Sequence, residues 1–331
     1  MDLGLALPQY DFSVPGEDPL RWDTVVGTAR RAEDLGFASV WLSDHLFLDL
    51  EKYGGAPRQY ACLDPLVALA ALARATRTVR LGTLTLCPPL RPATVLAKAL
   101  ATLDVVSGGR LTVGIGAGWY RPEMEGAGVA YERPAARLAQ LAEAVQVLRG
   151  MFGGGPCSFT GVYESAVGAR CLPRPLQRPH PPIWIGGKGD RLLDIVAKHA
   201  DGWNTAWAWT PEAYEERLGV LRRACERIGR DPASVTLSVG LYALVGDDEA
   251  DLARRFERLR SLSLPGLVPG LVPGLADWRR GKLVGTVEQV GEQCGRWRDL
   301  GVSSLIVNAG AVPFALASPD DLELIATACR L

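Results

Sequence analysis

Short runs of apolar and β-branched residues alternate with longer segments of helical periodicity along the whole chain. The runs predict eight strands, at residues 3–7, 39–42, 79–86, 111–115, 183–185, 202–205, 236–242 and 304–308. The segments between and after them predict helices at residues 20–35, 65–75, 93–106, 135–152, 191–200, 211–228, 249–260, 287–300 and 322–328. Because strand–helix–strand units are parallel and right-handed, eight of them favour a closed (β/α)8 TIM barrel. An open, doubly wound sheet built from the same units is the alternative.

The residues at the predicted helix ends support this reading. Thr210-Pro211-Glu212 and Ser318-Pro319-Asp320 each combine a capping hydroxyl, a proline and an acidic first turn. Leu35-Gly36 places a glycine just beyond a helix, where a left-handed residue is common. The predicted helices therefore have physical start and stop signals.

The length of 331 residues allows either two domains or one large barrel. No linker-like change in composition interrupts the pattern, so we predict a single domain over residues 1–331. It carries an insertion at about residues 153–182, after the fourth predicted helix, with a hairpin-like run at 158–163. A Pro-Gly step repeats three times within residues 264–275 and predicts a loop of consecutive turns at about 262–277. This loop is interpreted either as a lid or as a surface loop.

Composition excludes several classes of partner. With 36 basic and 37 acidic side chains the net charge is −1, which argues against nucleic acid or an anionic membrane surface. No stretch approaches the roughly 18 apolar residues of a membrane span, and the N-terminus lacks the features of a signal peptide. Seven scattered cysteines and three dispersed histidines show no metal-binding spacing, so no metal is expected. We predict a cytoplasmic location.

In such a barrel, ligands bind at the carboxyl ends of the strands. Asp44 and His45 directly follow the second predicted strand. A carboxylate beside an imidazole can bind polar edges of a ligand or transfer a proton near neutral pH. The alternative is that Asp44 caps a turn and His45 packs locally.

Glycines mark the end of the fourth predicted strand, in Gly114-Ile115-Gly116-Ala117-Gly118-Trp119. Three alternating glycines leave one face without side chains, so a planar ring or a phosphate could approach the backbone. The pattern is not a dinucleotide fingerprint, because the third glycine comes too early and residues 119–122 do not open a helix directly. The third strand ends in small polar residues, consistent with backbone pressed against a ligand or with a plain strand.

The fifth predicted strand leads through Gly186, Gly187 and Lys188 into a helix. A glycine loop at a helix N-terminus, with Lys188 and Arg191 nearby, is typical of a phosphate site. The alternative is a tight turn with solvated charges.

Alternating tryptophans Trp203, Trp207 and Trp209 follow in the next strand. They could form an apolar cavity wall or belong to the core, as expected for Trp203. Together these patterns indicate a barrel that binds a flat, phosphorylated cofactor.

These residues, in this order, resemble the luciferase-like monooxygenase superfamily of flavin- and deazaflavin-dependent oxidoreductases, most closely its coenzyme F420-dependent branch. The resemblance covers nearly the whole chain and is carried by residues 35–45, 80–83, 103–111, 114–119, 181–187 and 199–204. Residues 285–290 are similar to the lead-in to the last helix of the family, with Val287 where proline is common.

The resemblance implies a bacterial luciferase-like barrel that binds coenzyme F420, with FMN as the alternative, at the mouth of the barrel. A non-proline cis peptide at Leu84–Thr85 would support the ring, and Asp44 and His45 would line the active site beside it. His45 is the best candidate to steer or protonate the substrate. The implied cofactor-binding set is Asp44, Leu84, Thr85, Gly116, Ala117, Gly118, Gly186, Gly187 and Lys188.

The implied activity is hydride transfer between F420 and a small organic substrate. The alternatives are an FMN-dependent two-component monooxygenase supplied by a separate cofactor-reducing enzyme, and a non-catalytic cofactor-binding barrel. Members that oxidise a sugar phosphate carry a glutamate where this chain has Trp119, so a sugar phosphate is not the expected substrate. The resemblance is also compatible with a homodimer.

Overall fold

A computed structural model describes residues 1–55, 57–261 and 274–330. The strands in these residues are β1 (Asp2–Ala6), β2 (Ser39–Leu42), β3 (Phe47–Leu48), β4 (Tyr60–Ala61), β5 (Arg80–Thr83), β6 (Leu111–Ile115), β7 (Cys157–Thr160), β8 (Ser165–Ala169), β9 (Ile183–Gly186), β10 (Gly202–Trp207), β11 (Thr236–Gly246), β12 (Leu283–Thr286) and β13 (Ser304–Asn308). The α-helices are α1 (Trp22–Asp34), α2 (Pro65–Ala75), α3 (Ala93–Val106), α4 (Arg121–Gly126), α5 (Pro134–Phe152), α6 (Asp190–His199), α7 (Pro211–Glu226), α8 (Glu249–Ser261), α9 (Leu275–Trp278), α10 (Val287–Asp299) and α11 (Asp321–Arg330).

Eight of these strands form a closed parallel barrel in the order β1-β2-β5-β6-β9-β10-β11-β13, with β13 pairing back to β1. They are the eight strands that the sequence predicts, and the helices between them cover the outside, so the (β/α)8 prediction is confirmed. The carboxyl ends of all eight strands consequently meet at one mouth, where sequence analysis places the candidate residues.

The structure corrects two strand boundaries and adds a strand. Strand β5 ends at Thr83, not at residue 86, and β11 continues to Gly246. The sequence did not predict β12, which pairs in parallel with the end of β11 from Ala243↔Leu283 onward. It was missed because its four residues lead directly into α10, whose capping box at Thr286 dominates the local sequence signal.

A tryptophan fills part of the barrel interior. Trp41 is 2% exposed and stacks on Trp184 with ring centroids 5.3 Å apart. A Cβ atom on Gly82 would lie 2.1 Å from the Trp41 ring, and one on Gly4 would lie 2.7 Å from its Nε1. Glycines on both neighbouring strands therefore make room for the indole, and the barrel is a packed core below its mouth.

Residues 153–182 contain the antiparallel hairpin β7–β8, as the predicted run at 158–163 suggested. The Glu143 carboxylate accepts the backbone N–H groups of Val162, Tyr163 and Glu164, which fixes the hairpin turn to α5. Asp104 accepts two further N–H groups, those of Leu176 and Gln177. The insertion is thus held to the barrel helices by two carboxylates.

The predicted Pro/Gly loop lies mostly outside the described residues, which stop at 261 and resume at 274. Its last predicted residues are helical, because α9 begins at Leu275. No helix within the described residues is long and apolar enough to cross a membrane.

Candidate active site

A cavity of about 460 Å³ opens at the mouth of the barrel. Every residue of the predicted site lies on its wall: Asp44, His45, Leu84, Thr85, Gly116, Ala117, Gly118, Gly186, Gly187 and Lys188. The peptide bond between Leu84 and Thr85 is cis, as the family resemblance implied, and so is that between Ala206 and Trp207 on the same wall. The barrel thus brings together residues that are up to 144 positions apart in the chain (188 − 44).

The glycines of residues 114–118 have a packing role in addition to lining the cavity. A Cβ atom on Gly116 would lie 2.6 Å from Thr85 Oγ1, and one on Gly118 would lie 2.4 Å from the end of the Met124 side chain. On Gly114 it would lie 1.9 Å from the Thr83 carbonyl oxygen. Neighbouring atoms of the chain therefore occupy most of the space beside these three glycines.

The loop between β9 and α6 has the features of an anion site. Gly187 has φ +141°, a conformation that side-chain-bearing residues rarely adopt, and its N–H donates to the Asn204 carbonyl at 3.0 Å. The capping residue Gly189 has no side chain to bond the first N–H groups of α6, so they can bind a ligand. Asp190 in this turn is paired with Arg217, which reduces its repulsion of an anion.

Two lysines contribute positive charge to the cavity mouth. Lys188 and Lys52 both line it, and the Lys52 ammonium lies 3.9 Å from the centre of the Trp119 ring. Partial burial, together with repulsion from Lys188, lowers the pKa of Lys52. This end of the cavity therefore favours a negatively charged ligand group.

Asp44 is buried beneath the cavity and joins two loops. Its Oδ2 accepts the Cys87 N–H at 2.9 Å and an Arg91 N–H at 2.7 Å, and Arg91 also binds Asp64. Its Oδ1 is buried and has no hydrogen-bond partner among the described residues. An unpaired buried acceptor on a cavity wall is costly unless a ligand N–H group binds it.

His45 is held with one ring nitrogen bound and the other free. Its Nδ1 lies 2.9 and 3.0 Å from the two carboxylate oxygens of Glu123, a residue only 1% exposed. The Nε2 atom has no hydrogen-bond partner in the described part of the chain. Because a carboxylate only accepts, Nδ1 carries a proton, and in neutral His45 the Nε2 atom is the acceptor.

Aromatic rings and the backbone fix this pair in place. The His45 ring packs edge-on against Trp119 and Tyr120, with centroids 5.6 and 6.0 Å away. Glu123 also accepts the Leu46 N–H at 3.0 Å, which ties α4 to the loop that carries His45. The histidine is therefore pre-oriented toward the cavity.

Glu123 is not among the predicted site residues, because the sequence pattern does not predict α4. The helix begins at Arg121, only three residues beyond Gly118, and places Glu123 in its first turn. The signal was present, since Arg121-Pro122-Glu123 combines proline and an acidic residue just as Thr210-Pro211-Glu212 does.

Two thiols near the pair are held in the protonated form. Burial raises the pKa of both Cys62 and Cys87 to about 12, with nearby carboxylates adding to the effect. Cys62 Sγ donates to the His45 carbonyl oxygen at 2.7 Å. These cysteines are therefore not nucleophiles at neutral pH.

The three tryptophans that follow β9 have different environments. Trp203 belongs to the core, as expected: it is fully buried, stacks on Tyr214 and donates to the Gly187 carbonyl at 2.7 Å. Trp207 lies on the wall of the mouth cavity. Trp209 instead lines a second cavity.

That second cavity, of about 470 Å³, lies outside the barrel mouth between the start of α7, β12 and α10. It is similar in volume, but Arg279, Lys282, Arg296, Glu212 and Glu292 line it, and no predicted site residue does. The mouth cavity is the candidate active site, because of these two cavities it is the one that combines the His45–Glu123 pair with the glycine loop before α6.

Comparison with known proteins identifies the family and the relatives of the chain. The sequence profile of the family described as luciferase-like monooxygenase matches residues 1–304. An F420-dependent hydroxymycolic acid dehydrogenase of Mycobacterium tuberculosis is 29% identical over 314 residues, covering 93% of this chain and 82% of that protein. The crystal structure of a monooxygenase from Streptomyces bottropensis is 25% identical, with a TM-score of 0.77 and 98% of both chains covered. An F420-dependent secondary alcohol dehydrogenase in complex with an F420-acetone adduct has the same fold, with 20% identity, a TM-score of 0.76 and full coverage of both chains.

Proposed function

The chain belongs to the luciferase-like monooxygenase family, and we propose that it is an oxidoreductase that transfers hydride between coenzyme F420 and a small organic substrate. The observation that carries the proposal is a single cavity that combines an anion-binding loop, an unpaired buried acceptor and a pre-oriented histidine. The hydroxymycolic acid dehydrogenase, whose similarity covers 93% of this chain, supports F420 as the cofactor.

The residues of the cavity fit a deazaflavin cofactor. The first turn of α6, which follows the Gly186-Gly187 turn, offers backbone N–H groups to its phosphate, with Lys188 adding positive charge. The orphaned Oδ1 of Asp44 would accept an N–H group of the ring system. The bound deazaflavin would supply a carbon that accepts or donates hydride.

His45 would manage the proton that accompanies hydride transfer. Its Nε2 accepts the proton of a substrate hydroxyl when an alcohol is oxidised, and returns it when a carbonyl is reduced. Glu123 does not touch the substrate: it is a positioning residue that keeps the proton on Nδ1 and stabilises the imidazolium form. Trp119 and Tyr120 hold the ring at the correct angle.

The same geometry weighs against one of the two rival functions, the non-catalytic barrel. A non-catalytic barrel has no need for a buried carboxylate behind the cavity histidine. An FMN-dependent monooxygenase is the stronger rival, because the Streptomyces relative is a monooxygenase at 25% identity. A homodimer, a separate cofactor-reducing enzyme and a cytoplasmic location remain predictions from the sequence.

Cofactor titration tests the proposal. We expect purified protein to bind F420 tightly, and the deazaflavin absorbance to change when an alcohol or ketone substrate is added. Tight binding of FMN with no binding of F420 would overturn the assignment in favour of the monooxygenase.

A further inference from the structure

The loop after β13, residues 309–317, contributes a phenylalanine to the cavity wall. Phe314 is 4% exposed and has φ +58°, and among the described residues it is the only non-glycine residue with a positive φ. Bulky residues rarely adopt this conformation, whereas glycine adopts it without steric cost. Phe314 therefore places an aromatic side chain at a position where the backbone favours glycine, and the surrounding structure compensates for the backbone strain.

A buried asparagine holds the loop in this shape. Asn308, fully buried at the end of β13, donates its Nδ2 hydrogens to the carbonyl oxygens of Gly310 and Val312 at 3.1 and 2.9 Å. Its Oδ1 accepts the Ala315 N–H at 3.2 Å. These three bonds on both sides of Phe314 fix the direction of its ring.

The ring of Phe314 belongs to a continuous aromatic wall that begins beside the candidate proton carrier. The Tyr10 ring lies 6.4 Å from His45, Phe314 lies 6.3 Å from Tyr10, and Trp207 lies 5.5 Å from Phe314, edge-on at 89°. Tyr10, Phe314 and Trp207 all line the mouth cavity. A substrate with its reacting oxygen at His45 would place its carbon substituent along this wall.

We propose that Phe314, held in a left-handed conformation by Asn308, sets the size limit for the apolar substituent of the substrate. The substrate class is then an alcohol or ketone with one reacting oxygen and a compact apolar group. This inference rests on the proposed function, because it takes His45 as the residue that faces the reacting oxygen.

The test is a binding series that requires no turnover. The cofactor-loaded protein is titrated with the 2-alkanols from 2-propanol to 2-decanol, and binding is followed by tryptophan fluorescence, since Trp119 and Trp207 line the cavity. In the wild type we expect affinity to rise about fourfold per added methylene until the chain reaches Phe314, and then to level off or fall. In Phe314→Ala the rise should continue for several more carbons.

Leu316→Ala is the matched control, because Leu316 lies in the same loop, is 3% exposed and does not line the cavity. Leu316→Ala should keep the chain-length limit of the wild type. If Phe314→Ala does not fold, Phe314→Leu takes its place in the series. An unchanged limit in the Phe314 variant, an equal shift in Leu316→Ala, or a wild type that binds no member would overturn the inference. Failure of the proposed function is distinguishable: the alcohols would bind with the expected series, but none would change the deazaflavin absorbance.

Discussion

Replacing Glu123 with glutamine isolates the role of the charge behind His45. The carboxylate lies 2.9 and 3.0 Å from His45 Nδ1 and 3.0 Å from the Leu46 nitrogen. Glutamine has nearly the same size and keeps one acceptor oxygen for the Leu46 N–H, but it removes the negative charge. Glu123→Gln should therefore leave the loop in place while weakening stabilisation of the imidazolium.

The expected size of the effect follows from the change in hydrogen-bond type. A hydrogen bond to a charged group contributes about 1.5–3 kcal/mol, whereas a neutral one contributes about 0.5–1.5 kcal/mol. Glu123→Gln should thus remove about 1–2 kcal/mol of stabilisation from a transition state in which His45 gains a proton, so kcat should fall about 5- to 30-fold. KM and F420 affinity should change little, because Glu123 contacts neither ligand.

The assay compares kcat, KM and F420 affinity from deazaflavin absorbance, with Glu125→Gln as the control. Glu125 is on the same helix but is exposed and pairs only with Arg121 in the described residues, so its variant should retain wild-type kinetics. A wild-type kcat in Glu123→Gln, or a loss of F420 affinity as large as the loss of kcat, would refute the positioning role.

Three further predictions concern other parts of the structure. His45→Ala should lower turnover severely while F420 affinity in a direct titration stays near wild type; full activity would remove His45 from the mechanism. Gly187→Asp should weaken F420 binding strongly, because a side chain at φ +141° would lie 2.6 Å from Leu192 and bring negative charge to the anion loop; unchanged affinity would contradict the phosphate assignment. Glu33→Gln should lower the free energy of unfolding by about 1–2 kcal/mol at pH 7. Burial alone would raise the pKa of Glu33, but hydrogen bonds from residues 77–79 lower it to about 2. Because Glu33 is partly exposed to solvent, the expected loss is smaller than the free energy that corresponds to the whole pKa shift. Since the pKa of Glu33 is lower in the folded state than in the unfolded state, this stabilisation is complete above about pH 4.5 and is lost toward pH 2. In urea unfolding, the free energies of unfolding of variant and wild type should therefore converge toward pH 2. A difference that stays constant with pH would refute the prediction.

The barrel was predictable because its signals are periodic and repeated. Each barrel strand is buried between neighbouring strands, so it appears in the sequence as an apolar run. A helical segment separates each strand from the next. The carboxyl ends of parallel strands must then share one mouth. This geometric rule placed residues as distant as His45 and Lys188 on one cavity without any pairwise signal.

The parts that escaped prediction lie where local signals are short or where a contact is tertiary. Strand β12 leads directly into α10 with no turn between them, and α4 has only six residues, too few for a helical period to be recognised. The pairing of Glu123 with His45 joins helix α4 to the loop after β2 across 78 positions of the chain, and the barrel brings them together. The left-handed backbone of Phe314 is equally invisible, because no sequence rule places a bulky residue there.

The positions of the three key side chains along the chain have a consequence for how activity can diversify. His45 follows β2, Glu123 follows β6 and Phe314 follows β13, and each is carried by a different connection of the barrel, which for Glu123 is helix α4. Under the roles proposed above for these residues, proton transfer and size selection are therefore separable. A lineage, or an engineer, could exchange the last loop and acquire a new substrate range while inheriting the acid–base chemistry intact.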